Sequence, residues 1–144
     1  MKIIKGDILN IEHGIVCHQV NCMGKMGAGI ALSIRKKWPI VYNDYIYAHR
    51  AGHLILGNVI FSEITINTLY VASLCGQYYY GRNKRYTDYD AVKNCLNELT
   101  KYDDGRLDIY IPKGMGCSLA GGNWSVITSL IDEIIPNAIV VDKS

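Results

Sequence analysis

Two glycine-rich segments dominate the chemistry this sequence could perform. The first is Asn21-Cys22-Met23-Gly24-Lys25-Met26-Gly27-Ala28-Gly29-Ile30-Ala31. The second is Lys113-Gly114-Met115-Gly116-Cys117-Ser118-Leu119-Ala120-Gly121-Gly122-Asn123. Half of the 14 glycines lie in them, against only 3 prolines in the whole chain. Without Cβ atoms in the way, backbone N–H groups can close on an anion, and a following helix adds its positive N-terminal end. Two such loops on neighbouring strands would grip a diphosphate from two sides. Familiar phosphate fingerprints do not fit. There is no GxxxxGK[ST], which argues against P-loop ATP hydrolysis. Gly27-Ala28-Gly29 and Gly114-Met115-Gly116 each begin a GxGxx pattern without its third glycine, and no clean βαβ unit ends in an acid. A Rossmann dehydrogenase is therefore disfavoured.

Metal chemistry is not expected. His13, Cys17, His18 and Cys22 match no standard zinc spacing, and a strand would turn their side chains alternately to opposite faces. His49 and His53 stand four apart, but Gly52 interrupts them and the Glu of an HExxH motif is missing. The 5 cysteines form no CxxC pairs and mostly lie in apolar runs, which reads as reduced thiols in a cytoplasmic protein. Met1-Lys2-Ile3-Ile4-Lys5-Gly6-Asp7 has no apolar secretory core, and no run approaches 18 apolar residues, so no membrane partner is expected.

The elements that must position these loops follow from hydrophobic periodicity. The 144 residues, 49% hydrophobic and 19% charged, suit one globular domain, 1–144. Met1 to Leu9 opens with apolar pairs around a Lys5-Gly6-Asp7 break, and Gly14 to Asn21 reads as a strand. From Gly29 to Trp38 the period changes: Ile30, Ile34 and Trp38 mark one face of a helix that Pro39 ends or kinks. A second helix is expected over Val41 to Arg50, and strands over Leu56 to Ile66 and Leu69 to Ser73. Gly76 to Tyr89 is polar, basic and tyrosine-rich, and reads as an exposed loop. Asp90 to Tyr102 is helical, closed by Asp103-Asp104-Gly105, and Leu107 to Pro112 is a strand. Asn123 is placed to cap a helix carrying Ile127, Leu130, Ile131 and Ile134, and Ala138 to Asp142 is the last strand. Strands alternating with helices imply an α/β fold with a central, mostly parallel sheet covered on both faces. Ligands then bind outside the carboxyl ends of the strands, where both glycine loops lie.

With these motifs in order, the chain resembles the macrodomain family, which binds ADP-ribose. Lys5-Gly6-Asp7-Ile8 resembles the family's opening Gly-Asp-Ile, where the aspartate takes the adenine amino group and the next backbone N–H assists. Asn21 with Gly27-Ala28-Gly29-Ile30-Ala31 resembles the first phosphate loop, with the asparagine at the distal ribose. Pro112 and Gly114 to Gly122 resemble the second. The resemblance implies a three-layer α/β/α fold with a mixed, mostly parallel sheet. Within the family, His18-Gln19-Val20-Asn21-Cys22, the glycine loop and Trp38-Pro39 are most similar to the branch of ADP-ribose 1''-phosphate phosphatases and ADP-ribosyl-glutamate deacylases. The deacylase carries an aspartate in its second loop and a lysine nucleophile near the fourth strand. This chain has Ala120 and Gly76-Gln77 there, with Lys84 further on.

The expected activity is therefore release of phosphate from ADP-ribose 1''-phosphate, with no cofactor. His18, whose imidazole ordinarily titrates near neutrality, would handle protons, and Asn21 would orient a ribose hydroxyl or a water. Asp7, Ile8, Gly27, Ala28, Gly29, Ile30, Gln77, Gly116, Cys117, Ser118, Leu119 and Ala120 would line the ligand site. An ADP-ribosylated protein as substrate and a module that binds without turnover are the alternatives. Tyr78 to Tyr86 interleaves rings and cations, as a lid over the pocket or a platform for nucleic acid would. The net charge of only +2 counts against strong nucleic-acid affinity.

Overall fold

A computed structural model describes residues 1–102 and 105–144. The expected helix closure at Asp103 and Asp104 lies outside the described residues. The elements are β1 (Lys2–Lys5), a 3-10 turn (Ile8–Asn10), β2 (Gly14–Asn21), α1 (Gly29–Lys37), α2 (Pro39–Arg50), β3 (Val59–Thr65), β4 (Leu69–Gln77), α3 (Tyr89–Lys101), β5 (Ile109–Pro112), α4 (Trp124–Ile134) and β6 (Ile139–Asp142). The strands form one sheet in the order β1-β6-β5-β2-β4-β3. Among the described residues, only β3 is a strand antiparallel to its neighbour; the other strand pairs are parallel. The fold is the mixed, mostly parallel α/β/α arrangement expected.

β2 sits in the middle, between β5 and β4, and all of its residues are buried. That is why its sequence is nearly continuous in apolar residues rather than alternating. On one face Ile15 and Cys17 pack with Val92, Leu96 and Leu99 of α3 and Ile127 and Ile131 of α4. On the other, Val16 and Val20 pack with Ile34 of α1 and Val41 and Tyr45 of α2. Asn123 caps α4 as expected, accepting from the Ser125 amide at 2.9 Å, and Asp88 caps α3 through the Ala91 amide at 3.0 Å. Pro39 begins α2 as well as closing α1, because a first helical position needs no N–H donor.

One boundary decides the site. β4 continues past Ser73 to Gln77, so Gly76 and Gln77 belong to the sheet and the exposed segment starts at Tyr78. Gly76 is required there: an added Cβ would lie 2.5 Å from Gln19 Oε1 on β2. Beside it the β2–β4 register slips by one residue, between Val20 and Asn21.

Candidate functional site

The chain leaves β2 through α1 and α2 toward β3 and β4, and leaves β5 through α4 toward β6. The two strands are neighbours, so their carboxyl ends form a point where the winding reverses, the usual ligand crevice of such sheets. Each glycine loop follows one of them. Two cavities, about 540 and 650 Å³, open there and share Ile30, Pro112, Lys113 and Gly114 as lining, forming one continuous cleft.

At one end lie Asp7, Ile8, Leu9 and the C-terminal residues Asp142, Lys143 and Ser144. Asp7 Oδ1 accepts from the Leu9 amide at 2.9 Å, and Lys143 Nζ stands 3.4 Å from its Oδ2. The Leu9 amide, with help from Lys143, holds the Asp7 carboxyl below its ordinary range, so it is an acceptor at neutral pH.

In the middle, Gly27 to Ala31 face Gly116, Ser118, Leu119 and Ala120 across the larger cavity. Ala28 caps α1 without a side-chain bond. Among the described residues, the amides of Gly29, Ile30 and Ala31 donate to no protein acceptor, and neither do those of Gly116, Ser118, Leu119 and Ala120. These unpaired donors meet the positive end of α1, which is the electrostatics of an anion cradle. Cys117 does not line the cleft: its thiol donates to Met115 O at 3.3 Å and its side chain packs on the α3–α4 core.

At the far end Asn21 organises the first loop. Its Oδ1 accepts from the Met23 amide at 3.0 Å and from Tyr45 Oη at 2.9 Å. Its Nδ2 donates to Lys25 O at 2.9 Å, which leaves the second amide hydrogen for the cleft. Gln19, Gln77, Lys25, Tyr80 and Arg82 complete this end. Gln19 Nε2 donates to Gln77 Oε1 and to Thr87 Oγ1, both at 2.9 Å.

His18 is not brought to the cleft. Strand alternation turns it to the Val16 and Val20 side, where it is fully buried and shares a 2.8 Å hydrogen bond with Ser73 Oγ. Burial lowers its pKa to about 3, so the imidazole is neutral at physiological pH. The proton-handling role expected of it has no path to a ligand in this geometry. Of the other expected residues, all but Cys117 lie on the cleft. Sequence reasoning missed Gln19, Arg82 and Lys113 as lining. Alternation turns Gln19 and His18 to opposite faces of β2, but both faces are covered, so it does not tell which of the two reaches the cleft.

The tyrosine-rich segment is docked on the second loop. The amides of Tyr86 and Thr87 donate to Ala120 O at 2.7 and 3.2 Å. Tyr80, Gly81 and Arg82 border the cleft, as a lid would.

No family model matches the sequence. An uncharacterized 17.5 kDa protein of Enterobacteria phage T4 is 31% identical over 140 residues, covering 92% of this chain and 88% of that one. A Bacteroides thetaiotaomicron protein of unknown function superposes with a TM-score of 0.89 at 30% identity, covering 99% and 97% of the two chains. The macrodomain of Thermus aquaticus DarG superposes with a TM-score of 0.81 at 19% identity, over 99% and 97%. The chain belongs to one family with the phage protein, and its fold is that of the macrodomains. Some curated relatives carry named activities. The ADP-ribose 1''-phosphate phosphatase of Saccharomyces cerevisiae is 23% identical over 90% of both chains. The DNA ADP-ribosyl glycohydrolase of Mycobacterium tuberculosis is 33% identical over 54 residues, 38% of this chain and 15% of that protein.

Proposed function

We propose that this macrodomain binds ADP-ribose along the cleft and hydrolyses ADP-ribose 1''-phosphate to ADP-ribose and phosphate. The pair of facing glycine loops carries the binding reading: seven residues with unpaired amides line the cavity where a diphosphate would lie. Asp7 and the Ile8 amide take the adenine end, and the free Asn21 amide hydrogen takes a distal-ribose hydroxyl. The likeness to the yeast phosphatase along nearly the whole chain supports the activity. Lys25 and Arg82 supply positive charge to the monoester at the far end. Water attacks phosphorus and the 1''-oxygen leaves with a proton from solvent, since His18 is sealed away.

Binding without turnover is the second reading. It is favoured by one observation: among the described residues, no carboxylate or imidazole lines the larger cavity. Removal of ADP-ribose from acidic side chains is less well supported, because Gln77 and Ala120 hold the places of the resembled deacylase's lysine and aspartate. Calorimetry with ADP-ribose, beside phosphate release from ADP-ribose 1''-phosphate, separates these readings. Binding with release is expected. Binding with no release leaves the module, and no binding of ADP-ribose sinks both.

A further inference from the structure

The two cavities of the cleft meet at a junction lined by Ile30, Pro112, Lys113 and Gly114. Lys113 alone among these has a polar side chain. Asp7 and Ile8, which take the adenine, lie on one side of the junction, and the unpaired amides of the glycine loops lie on the other. The ribose that joins an adenine to a diphosphate must therefore cross it. A plain ribose offers Lys113 only neutral hydroxyls there.

Lys113 is held in place but poorly matched in charge. Its backbone amide donates to Val141 O at 2.9 Å, which ties the residue to β6. Its ammonium stands 3.5 Å from Oδ2 of Asp142, whose side chain is nine-tenths buried. The same oxygen serves Lys5 at 3.4 Å, while Oδ1 accepts from the amide and hydroxyl of Ser144. One carboxylate oxygen is thus divided between two ammonium groups. Lys5 has a second acceptor in Ser144 O at 3.3 Å, and among the described residues Lys113 has none. Lys143, the other cation lining this end, is 3.4 Å from Asp7 and meets its countercharge there. Half-exposed Lys113 is left as the least neutralised cation where the ribose passes.

We infer that Lys113 recognises a phosphate monoester on the adenosine ribose, so that the cleft takes ADP-ribose 2'-phosphate in preference to ADP-ribose. Such a monoester is close to doubly charged at neutral pH and presents three strong acceptor oxygens. A charge-assisted bond from the ammonium to one of them is stronger than its bond to a hydroxyl. The diphosphate does not call for Lys113, because the backbone amides of the two loops meet it. The added phosphate serves recognition only: it sits across the diphosphate from the 1''-position, so it is not the group released. Coenzyme A also carries a phosphate on its adenosine ribose, at the 3'-position. It has no second ribose for the free amide hydrogen of Asn21 at the far end. The inference rests on the ADP-ribose reading and specifies its nucleotide.

The test is calorimetry of ADP-ribose and of ADP-ribose 2'-phosphate on the same protein, read as the ratio of their affinities. The phosphorylated nucleotide should bind about tenfold tighter. That ratio should shrink as salt is raised, because the ammonium is partly in solvent. Lys113→Gln should bring the ratio to about one, and Lys113→Arg, which keeps the charge, should retain most of it. Equal affinities in the wild type, with ADP-ribose bound, would overturn the inference and leave the ADP-ribose reading standing. A preference that survives in Lys113→Gln would place the deciding cation elsewhere and overturn it too. So would an equal loss of both nucleotides in that variant, which would assign Lys113 to the diphosphate. Coenzyme A binding as tightly as ADP-ribose 2'-phosphate would overturn the choice of nucleotide. Failure of both ADP-ribose and its 2'-phosphate to bind would sink the inference together with the reading it rests on.

Discussion

Gln19 and Thr87 meet at the base of the cleft, where Gln19 Nε2 donates to Thr87 Oγ1 at 2.9 Å. The threonine hydroxyl passes its own hydrogen to Gly116 O at 2.6 Å. Its backbone amide reaches Ala120 O in the same loop. One threonine thus joins the central strand, the tyrosine-rich segment and the second glycine loop. Gly116 leaves room for this: with φ at +75°, an added Cβ would stand 2.6 Å from Gln19 Oε1.

Thr87→Val keeps the shape and deletes the hydroxyl. Gln19 loses an acceptor and Gly116 O loses one of its two donors, keeping the Gly122 amide at 2.9 Å; both positions are buried or half-buried. The expected destabilisation is about 1–3 kcal/mol, read from urea denaturation. ADP-ribose affinity should fall as well, because the amides of Gly116 to Ala120 lose one of the bonds that position their loop. Unchanged affinity in a folded variant would mean that the loop is held without this relay.

The order of elements was legible because each local signal agreed with the fold. The β-branched run of β2, the four-residue repeat of Ile30, Ile34 and Trp38, and the Asn123 cap each named its own element. The glycine loops were legible for the same reason, since a loop between strand and helix is a local fact. His18 was not. A histidine on a fully buried strand reads alike whether it faces a ligand or the core, and the deciding partner, Ser73, comes from β4. Gln19 was hidden similarly, its partner Thr87 lying 68 residues away. The end of β4 was placed too early because Gly76 looks like a turn; it is glycine to admit Gln19, a requirement that only sheet pairing reveals.

Tyr45 and Asn21 make a second long-range tie. Tyr45 Oη donates at 2.6 Å to Asn21 O, with Asn21 Oδ1 at 2.9 Å, and the ring is fully buried. Tyr45→Phe retains the packing and removes the one hydroxyl hydrogen that Asn21 O and Oδ1 share. A loss of about 1–2 kcal/mol is expected in chemical denaturation. The Asn21 carboxamide keeps its bonds to Met23 and Lys25. ADP-ribose affinity should accordingly drop less than in Asn21→Ala, which removes the side chain itself. An equal loss in both variants would assign the effect to Tyr45.

Burial of neutral His18 sets a pH dependence of stability. Its folded pKa is about 3, against about 6.5 in the unfolded chain. Between those values the unfolded state binds the extra proton, so stability rises with pH and is fully present above the unfolded value. It is lost as pH falls from about 6.5 toward 3. From pH 7 to pH 5 this group alone removes about 2 kcal/mol. In His18→Gln that component should vanish from urea midpoints measured over the same range, whatever the variant's absolute stability. Asp7 and Asp142, whose carboxyl pKa values are lowered by hydrogen bonds to Leu9 and Ser144, act in the same sense at more acid pH, below the ordinary carboxylate range. A midpoint that stays flat between pH 7 and 5 in the wild type would contradict a neutral, sealed imidazole and return His18 to the list of proton donors.

Gly29 separates the diphosphate cradle from a merely tight turn. It opens α1 with φ at +59°, and an added Cβ would meet nothing within 4 Å. The cost of a side chain is therefore conformational, about 1–2 kcal/mol, and Gly29→Ala carries that cost alone. Gly29→Glu carries it with a carboxylate placed among the unpaired amides of Ile30 and Ala31, the donors assigned to the ligand phosphates. The helix end itself gains from the negative charge, so the variant should fold at least as well as Gly29→Ala. Its calorimetric affinity for ADP-ribose should nevertheless collapse, while Gly29→Ala keeps most of it. If both variants bind equally well, the diphosphate does not lie at the N-terminus of α1, and the second loop must hold it without the first.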